Sequence, residues 1–134
     1  MRFFCDRNVP PRLARMVDVF DNQNTIRAYN DDDRFDETTA DVEWIRVLSA
    51  DNPAWIIISG DGRILKNKIE LAALKESKLS FFCLAKQWMG MKIHDQAWRF
   101  VKVWPDIVEN AKGESQKIFE VSCGQGLKIE RKHL

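Results

Sequence analysis

The run Ala54-Trp55-Ile56-Ile57-Ile58-Ser59 is apolar and rich in β-branched residues, with no alternation. A strand with one wet face alternates apolar and polar side chains, so an unbroken apolar run marks a central strand covered on both faces. Other segments agree with a sheet of this kind. Arg2 to Cys5 reads as a short buried strand, Thr25 to Tyr29 as a second and Leu79 to Leu84 as another. Helical patterns lie between them. Leu13, Met16, Val17 and Phe20 share a face after Pro10-Pro11, and Val42, Ile45 and Leu48 form a stripe that ends before Asn52-Pro53. Ile69 to Lys75 and Asp95 to Asn110 read as two more helices, the last with Trp98, Val101 and Trp104 as its core side. Pro105 is expected to kink or break that helix. Strands alternating with helices predict an α/β class, a mostly parallel central sheet flanked by helices and joined by right-handed crossovers.

From Lys117 the pattern changes to Ile118, Phe119 and Val121, then Cys123-Gly124-Gln125-Gly126, then Leu127 and Ile129. It predicts a closing β-hairpin over about residues 117–131 with a glycine-rich turn. With 134 residues the chain is expected to form one domain, 1–134, with its core over about 2–110. Trp44, Trp55, Trp98 and Trp104 fall at core-like spacings. No apolar run approaches the roughly twenty residues of a membrane span, and the start has no signal-peptide pattern. Three cysteines without a CxxC spacing fit a reducing compartment, so a soluble, cytoplasmic protein is expected.

The net charge of +1 conceals a local asymmetry. Residues 31–43 hold seven acids against Arg34 alone, while arginines crowd the start and lysines the end. Two apolar runs end on an aspartate, Phe3-Phe4-Cys5-Asp6 and Trp55-Ile56-Ile57-Ile58-Ser59-Gly60-Asp61, and Asp41 opens an amphipathic helix. Strand ends of a parallel sheet open onto a shared crevice, where ligands of such folds sit. Each acid also has a structural reading. Asp6 can brace the turn before Pro10, Asp61 can belong to an Asp-Gly turn, and Thr38-x-x-Asp41 has the spacing of a capping box. Asn8 and Ser59, each two residues from an acid, suit either role.

Brought together, three carboxylates repel one another, and a hard divalent cation is their natural compensation. Such an ion serves phosphodiester chemistry. Two histidines cannot build a zinc site, and Gly124-Gln125-Gly126 lacks the lysine of a phosphate-binding loop. Glu43 and the acids Asp31, Asp32, Asp33, Asp36 and Glu37 read as solvated, in reserve.

Four stretches carry a family likeness. Phe3-Phe4-Cys5-Asp6-Arg7-Asn8-Val9-Pro10-Pro11-Arg12-Leu13-Ala14, Asp41-Val42-Glu43-Trp44-Ile45, Ile57-Ile58-Ser59-Gly60-Asp61-Gly62-Arg63-Ile64 and Val101-Lys102-Val103-Trp104-Pro105 together resemble the PIN-domain ribonucleases. The likeness is nearest to the VapC-like branch of bacterial toxin–antitoxin systems. It implies an endoribonuclease dependent on Mg²⁺ or Mn²⁺, with Asp6, Asp41 and Asp61 as catalytic and metal-binding acids. Asn8, Ser59 and Glu43 would support them, and Arg7, Arg63 and Lys66 would steer the RNA backbone. A cognate antitoxin is the implied partner, and a second copy of the chain is another candidate. One position departs from the pattern: relatives often have a further acid where this chain has Arg63, which implies either reduced metal affinity or activity or a replacement acid from Glu43 or the loop. The alternative is a non-catalytic PIN-like module whose acidic cleft engages a protein. A phosphoacceptor receiver domain is disfavoured, because Asp6 has no acidic neighbour.

Overall fold

The computed structural model describes residues 1–124 and 126–134. Six strands, β1 (Arg2–Cys5), β2 (Thr25–Ala28), β3 (Trp55–Ser59), β4 (Phe81–Leu84), β5 (Ile118–Val121) and β6 (Ile129–Lys132), form one sheet in the order β2-β1-β3-β4-β5-β6. The first five are parallel, and β6 pairs antiparallel with β5. Helices α1 (Pro11–Phe20), α2 (Asp41–Ser49), α3 (Lys68–Ser77) and α4 (Ile93–Ala111) connect them. This is the α/β architecture the sequence predicts, closing hairpin included. Gln125 of the expected glycine-rich turn lies outside the described residues.

Successive side chains of a strand point to opposite faces, which divides the core in two. Phe3, Cys5, Ile56, Ile58, Phe82, Leu84, Phe119 and Val121 pack with α1 and α4. Phe4, Trp55, Ile57, Phe81, Cys83 and Ile118 pack with α2 and α3. Every residue of β3 is buried, as its unbroken apolar pattern requires. No helix among the described residues is long and apolar enough to cross a membrane.

Several local expectations are corrected. The core stripe of α4 is Phe100, Val103, Trp104, Ile107 and Ala111, a full i, i+3, i+4, i+7 series. Trp98 and Val101 belong to another face and are 49% and 41% exposed. Trp88, by contrast, is fully buried and donates its indole N–H to the Val121 carbonyl at 3.1 Å. On α1 the buried residues are Leu13, Ala14 and Val17, and Phe20 is half exposed. Pro105 lies within α4 without ending it. The carbonyl that loses its donor is that of exposed Val101, where water can serve instead.

The crossovers do not all have one hand. Helices α1 and α4 pack on the same face, yet β1–α1–β2 and β4–α4–β5 step across the sheet in opposite directions. One of the two therefore departs from the usual right-handed connection. The face over β3 and β4 is already covered by α2 and α3, while Trp104 of α4 packs edge-on to Phe3 at 4.8 Å beside α1.

The strand order turns at the β1/β3 boundary. The chain leaves β1 for β2 on one side and returns to β3 on the other, so a crevice opens past the ends of β1 and β3. Cys5 is level with Ile58, and the Asp6 amide extends this ladder to the Ile58 carbonyl at 2.9 Å.

Candidate functional site

Asp6 emerges at that boundary and is only 2% exposed. Its carboxylate accepts hydrogen bonds from the Ser59 hydroxyl, from the Gly60 amide at 3.2 Å and from the Asn8 amide at 3.1 Å. Its pKa is raised to about 6: burial pushes it up most, these three bonds pull it down, and the charge of Asp41 adds to the rise. Ser59 is fully buried, and its oxygen also accepts from the Asp61 amide at 2.9 Å. One hydroxyl thus couples the two loops that carry Asp6 and Asp61. Gly60 allows them to meet: a Cβ there would lie 2.7 Å from Met89 Sδ and 2.9 Å from the Asn8 carbonyl oxygen.

Asp41 stands at the first position of α2, after Ala40, whose side chain makes no capping bond. The expected capping box does not form, because the Thr38 hydroxyl bonds to Asp36 at 2.6 Å instead. Asp41 Oδ1 accepts from Trp44 Nε1 at 2.8 Å and meets Arg7 Nη2 at 3.3 Å. Arg7 also donates to the carbonyls of Glu37 at 2.8 Å and Thr39 at 2.6 Å, and its guanidinium lies 5.3 Å from the centre of the Tyr29 ring. It braces the acidic segment from within the protein.

Asp61 begins the 3-10 turn Gly62–Leu65 and accepts from the Arg63 amide at 3.0 Å, so part of its role is to cap that turn. Arg63 also grips it through Nε and Nη2, both at 2.9 Å, and holds its pKa below the usual carboxylate range. The Arg63 side chain is itself 85% exposed.

Sequence reasoning passed over a fourth acid, Glu70, in the first turn of α3. Its pKa is raised to about 7, first by burial and then by the neighbouring carboxylates of Asp41 and Asp61, against the opposing charge of Arg63. Asn67 and Glu70 have the spacing of a cap and its third helical residue, which disguises Glu70 as a capping acid. In the structure the Asn67 amide already bonds to the Arg63 carbonyl at 2.9 Å, so capping does not require Glu70. Glu43 is exposed on α2, two residues from Asp41 and so on a different side of the helix.

The loop acids are not uniformly solvated, which corrects another expectation. Asp32 is 5% exposed and paired with Arg27 at 3.1 Å and Arg34 at 2.9 Å. Hydrogen bonding from Arg34 is the main cause that lowers its pKa to about 2. Asp31 pairs with Arg15 at 2.6 Å, and these bonds tie the acidic loop to the fold.

Asp6, Asp41, Asp61 and Glu70 therefore come from four separate segments to the strand ends at this edge, where the charge of Asp41 reaches Asp6 and Glu70 and that of Asp61 reaches Glu70. Their donors are hard carboxylate oxygens, which suit Mg²⁺ or Mn²⁺. Among the described residues no group of three or more His, Cys, Asp or Glu side chains is arranged to hold a metal ion as it stands. Arg63 and Arg7 instead neutralise Asp61 and Asp41. Beside Asp61 a cleft of about 640 Å³ continues along the sheet edge, with Arg63 and exposed Lys66 among its lining.

Residues 1–86 match the family model described as a PIN-like domain. The chain belongs to the PIN-like domain family. The matched segment includes all four acids and strands β1 to β4, while α4, β5 and β6 follow it. PIN-like domains are generally nucleases, so family and acidic edge agree in kind. No curated protein and no solved structure gives a significant match.

Proposed function

We propose that this PIN-like domain is a metal-dependent endoribonuclease. The observation that carries the reading is that Asp6, Asp41, Asp61 and Glu70 approach one edge, where the charge of Asp41 reaches both Asp6 and Glu70 and that of Asp61 reaches Glu70. Such a cluster gains stability from a hard cation. In this reading Asp6, Asp41, Asp61 and Glu70 hold Mg²⁺ or Mn²⁺. An ion held there would lower the pKa of a coordinated water, making hydroxide available as a nucleophile near neutral pH, and would offset charge on the phosphate. Ser59 fixes the orientation of Asp6 and keeps the Asp61 loop in register with it. Arg63, exposed beside Asp61, and Lys66 would attract the RNA backbone. The sequence likeness to the VapC-like branch adds a role as the toxin of a cytoplasmic toxin–antitoxin pair, with the antitoxin as partner.

A second reading has its own support. Arg63 and Arg7 already neutralise two of the acids, which suits a non-catalytic module whose acidic edge binds a protein. One set of measurements separates the two. The purified chain is expected to cleave single-stranded RNA in Mg²⁺ or Mn²⁺, and Asp61→Asn to lose about a hundredfold or more of that rate while retaining its circular dichroism. A variant that cleaves as well as the parent would refute the catalytic assignment. Calorimetry that detects no metal binding would favour the binding module.

A further inference from the structure

The cleft beside Asp61 is lined in part by residues beyond the matched segment, among them Met89 and Glu120. Its volume of about 640 Å³ lies in the range of small-molecule sites. Leu65 and Met89, both partly exposed, give it apolar surface, which suits the face of a planar ring. Lys66 and Lys86 are exposed at its lining and suit a phosphate. Glu120 adds a carboxylate in an unfavourable setting: on β5 it stands level with Cys83 of β4 and directly across from Glu130 of β6. Like charges opposed across a strand pair destabilise it. Lys132, which also lines the cleft, contacts Glu130 at 3.3 Å, and among the described residues the Glu120 side chain has no hydrogen-bond or ion-pair partner, so it is open to a donor from a bound molecule.

We propose that this cleft is a nucleotide subsite selective for guanine. The ring lies on the apolar surface, the phosphate meets Lys66 and Lys86, and the guanine N1–H and amino group donate together to Glu120. Guanine is the RNA base that offers two adjacent donors on its pairing edge, matching the two oxygens of a carboxylate. The inference rests on the nuclease reading and deepens it, because Asp61 belongs to both the acidic edge and the cleft. The cut phosphodiester would then be one flanking a guanosine.

Binding is separable from cleavage, so the test is an NMR titration of the full chain in EDTA. The probes are guanosine, cytidine and uridine 5′-monophosphates and inorganic phosphate. The guanosine nucleotide is expected to shift amides lining the cleft and to bind about tenfold more tightly than the uridine nucleotide. Glu120→Gln should abolish that preference and leave the phosphate contribution intact. Equal binding of guanosine and uridine nucleotides, identical shifts from inorganic phosphate alone, or shifts elsewhere would overturn the proposal. Guanosine selectivity without RNA cleavage would leave the subsite standing and remove the nuclease reading. Cleavage without guanosine selectivity would do the reverse.

Discussion

Asp6 is where burial and charge are most directly opposed. A buried carboxyl with its pKa raised to about 6 keeps a proton that the unfolded chain releases near 3.8. Between these values the folded state binds more protons, so stability falls as pH rises and the penalty is complete above about 6. The shift corresponds to about 3 kcal/mol. Asp6→Asn, which cannot ionise, should therefore gain on the parent by up to that amount between pH 4 and pH 7 in EDTA. Urea denaturation across this range measures it, and parallel profiles for the two proteins would contradict the burial argument. Gly60 gives a second residue-level test. A methyl group there meets the Asn8 backbone as well as Met89, so the two loops must separate. Gly60→Ala should cost about 1–3 kcal/mol by denaturation and weaken metal binding, since Asp6 would lose its bond from the Gly60 amide.

At the level of elements, the sequence shows where helices and strands lie more clearly than how they face. The unbroken apolar run of β3 could serve only a strand covered on both sides, and the structure buries all of it. Helix α4 was harder to read, because Trp98, Val101 and Trp104 are also spaced like a helical face. The larger set from Phe100 to Ala111 takes the core because it offers more contiguous area, leaving Trp98 half exposed. Pro105 gives the element-level prediction. It removes one backbone donor from α4 at an exposed site, so Pro105→Ala should restore a hydrogen bond to Val101 and stabilise the protein by about 1–2 kcal/mol. Urea denaturation tests this, and a loss of stability would mean that the helix depends on a distortion at the proline.

For the whole molecule, the decisive feature is that acids from separate stretches of the chain come within reach of one another's charge, Asp41 acting on both Asp6 and Glu70 and Asp61 on Glu70. A ligand that binds only the folded arrangement stabilises it by mass action, about 2.7 kcal/mol at a free concentration one hundred times its dissociation constant. Mn²⁺ should therefore raise the melting temperature by several degrees, reversibly with EDTA, and Asp41→Asn or Glu70→Gln should reduce the shift. An unchanged melting temperature in Mn²⁺ would count against the metal site. Asp6, Asp41 and Asp61 were visible in the sequence because each stands at the end of a recognisable strand or the start of a helix. Glu70 was not, because a first-turn acid three residues after an asparagine looks like part of a cap. Nor could Arg63 be seen to grip Asp61, or Asp32 to be buried between two arginines, since local charge patterns do not reveal partners. By itself the sequence determined the α/β class, the central strand and the strand-end aspartates, because these follow from local periodicity and from which residues tolerate burial. Only the tertiary structure decided which side of α4 enters the core, which acids meet and which cations oppose them. Those outcomes depend on packing and on charge across long separations in the chain, where a residue's environment is set by neighbours that no local pattern names.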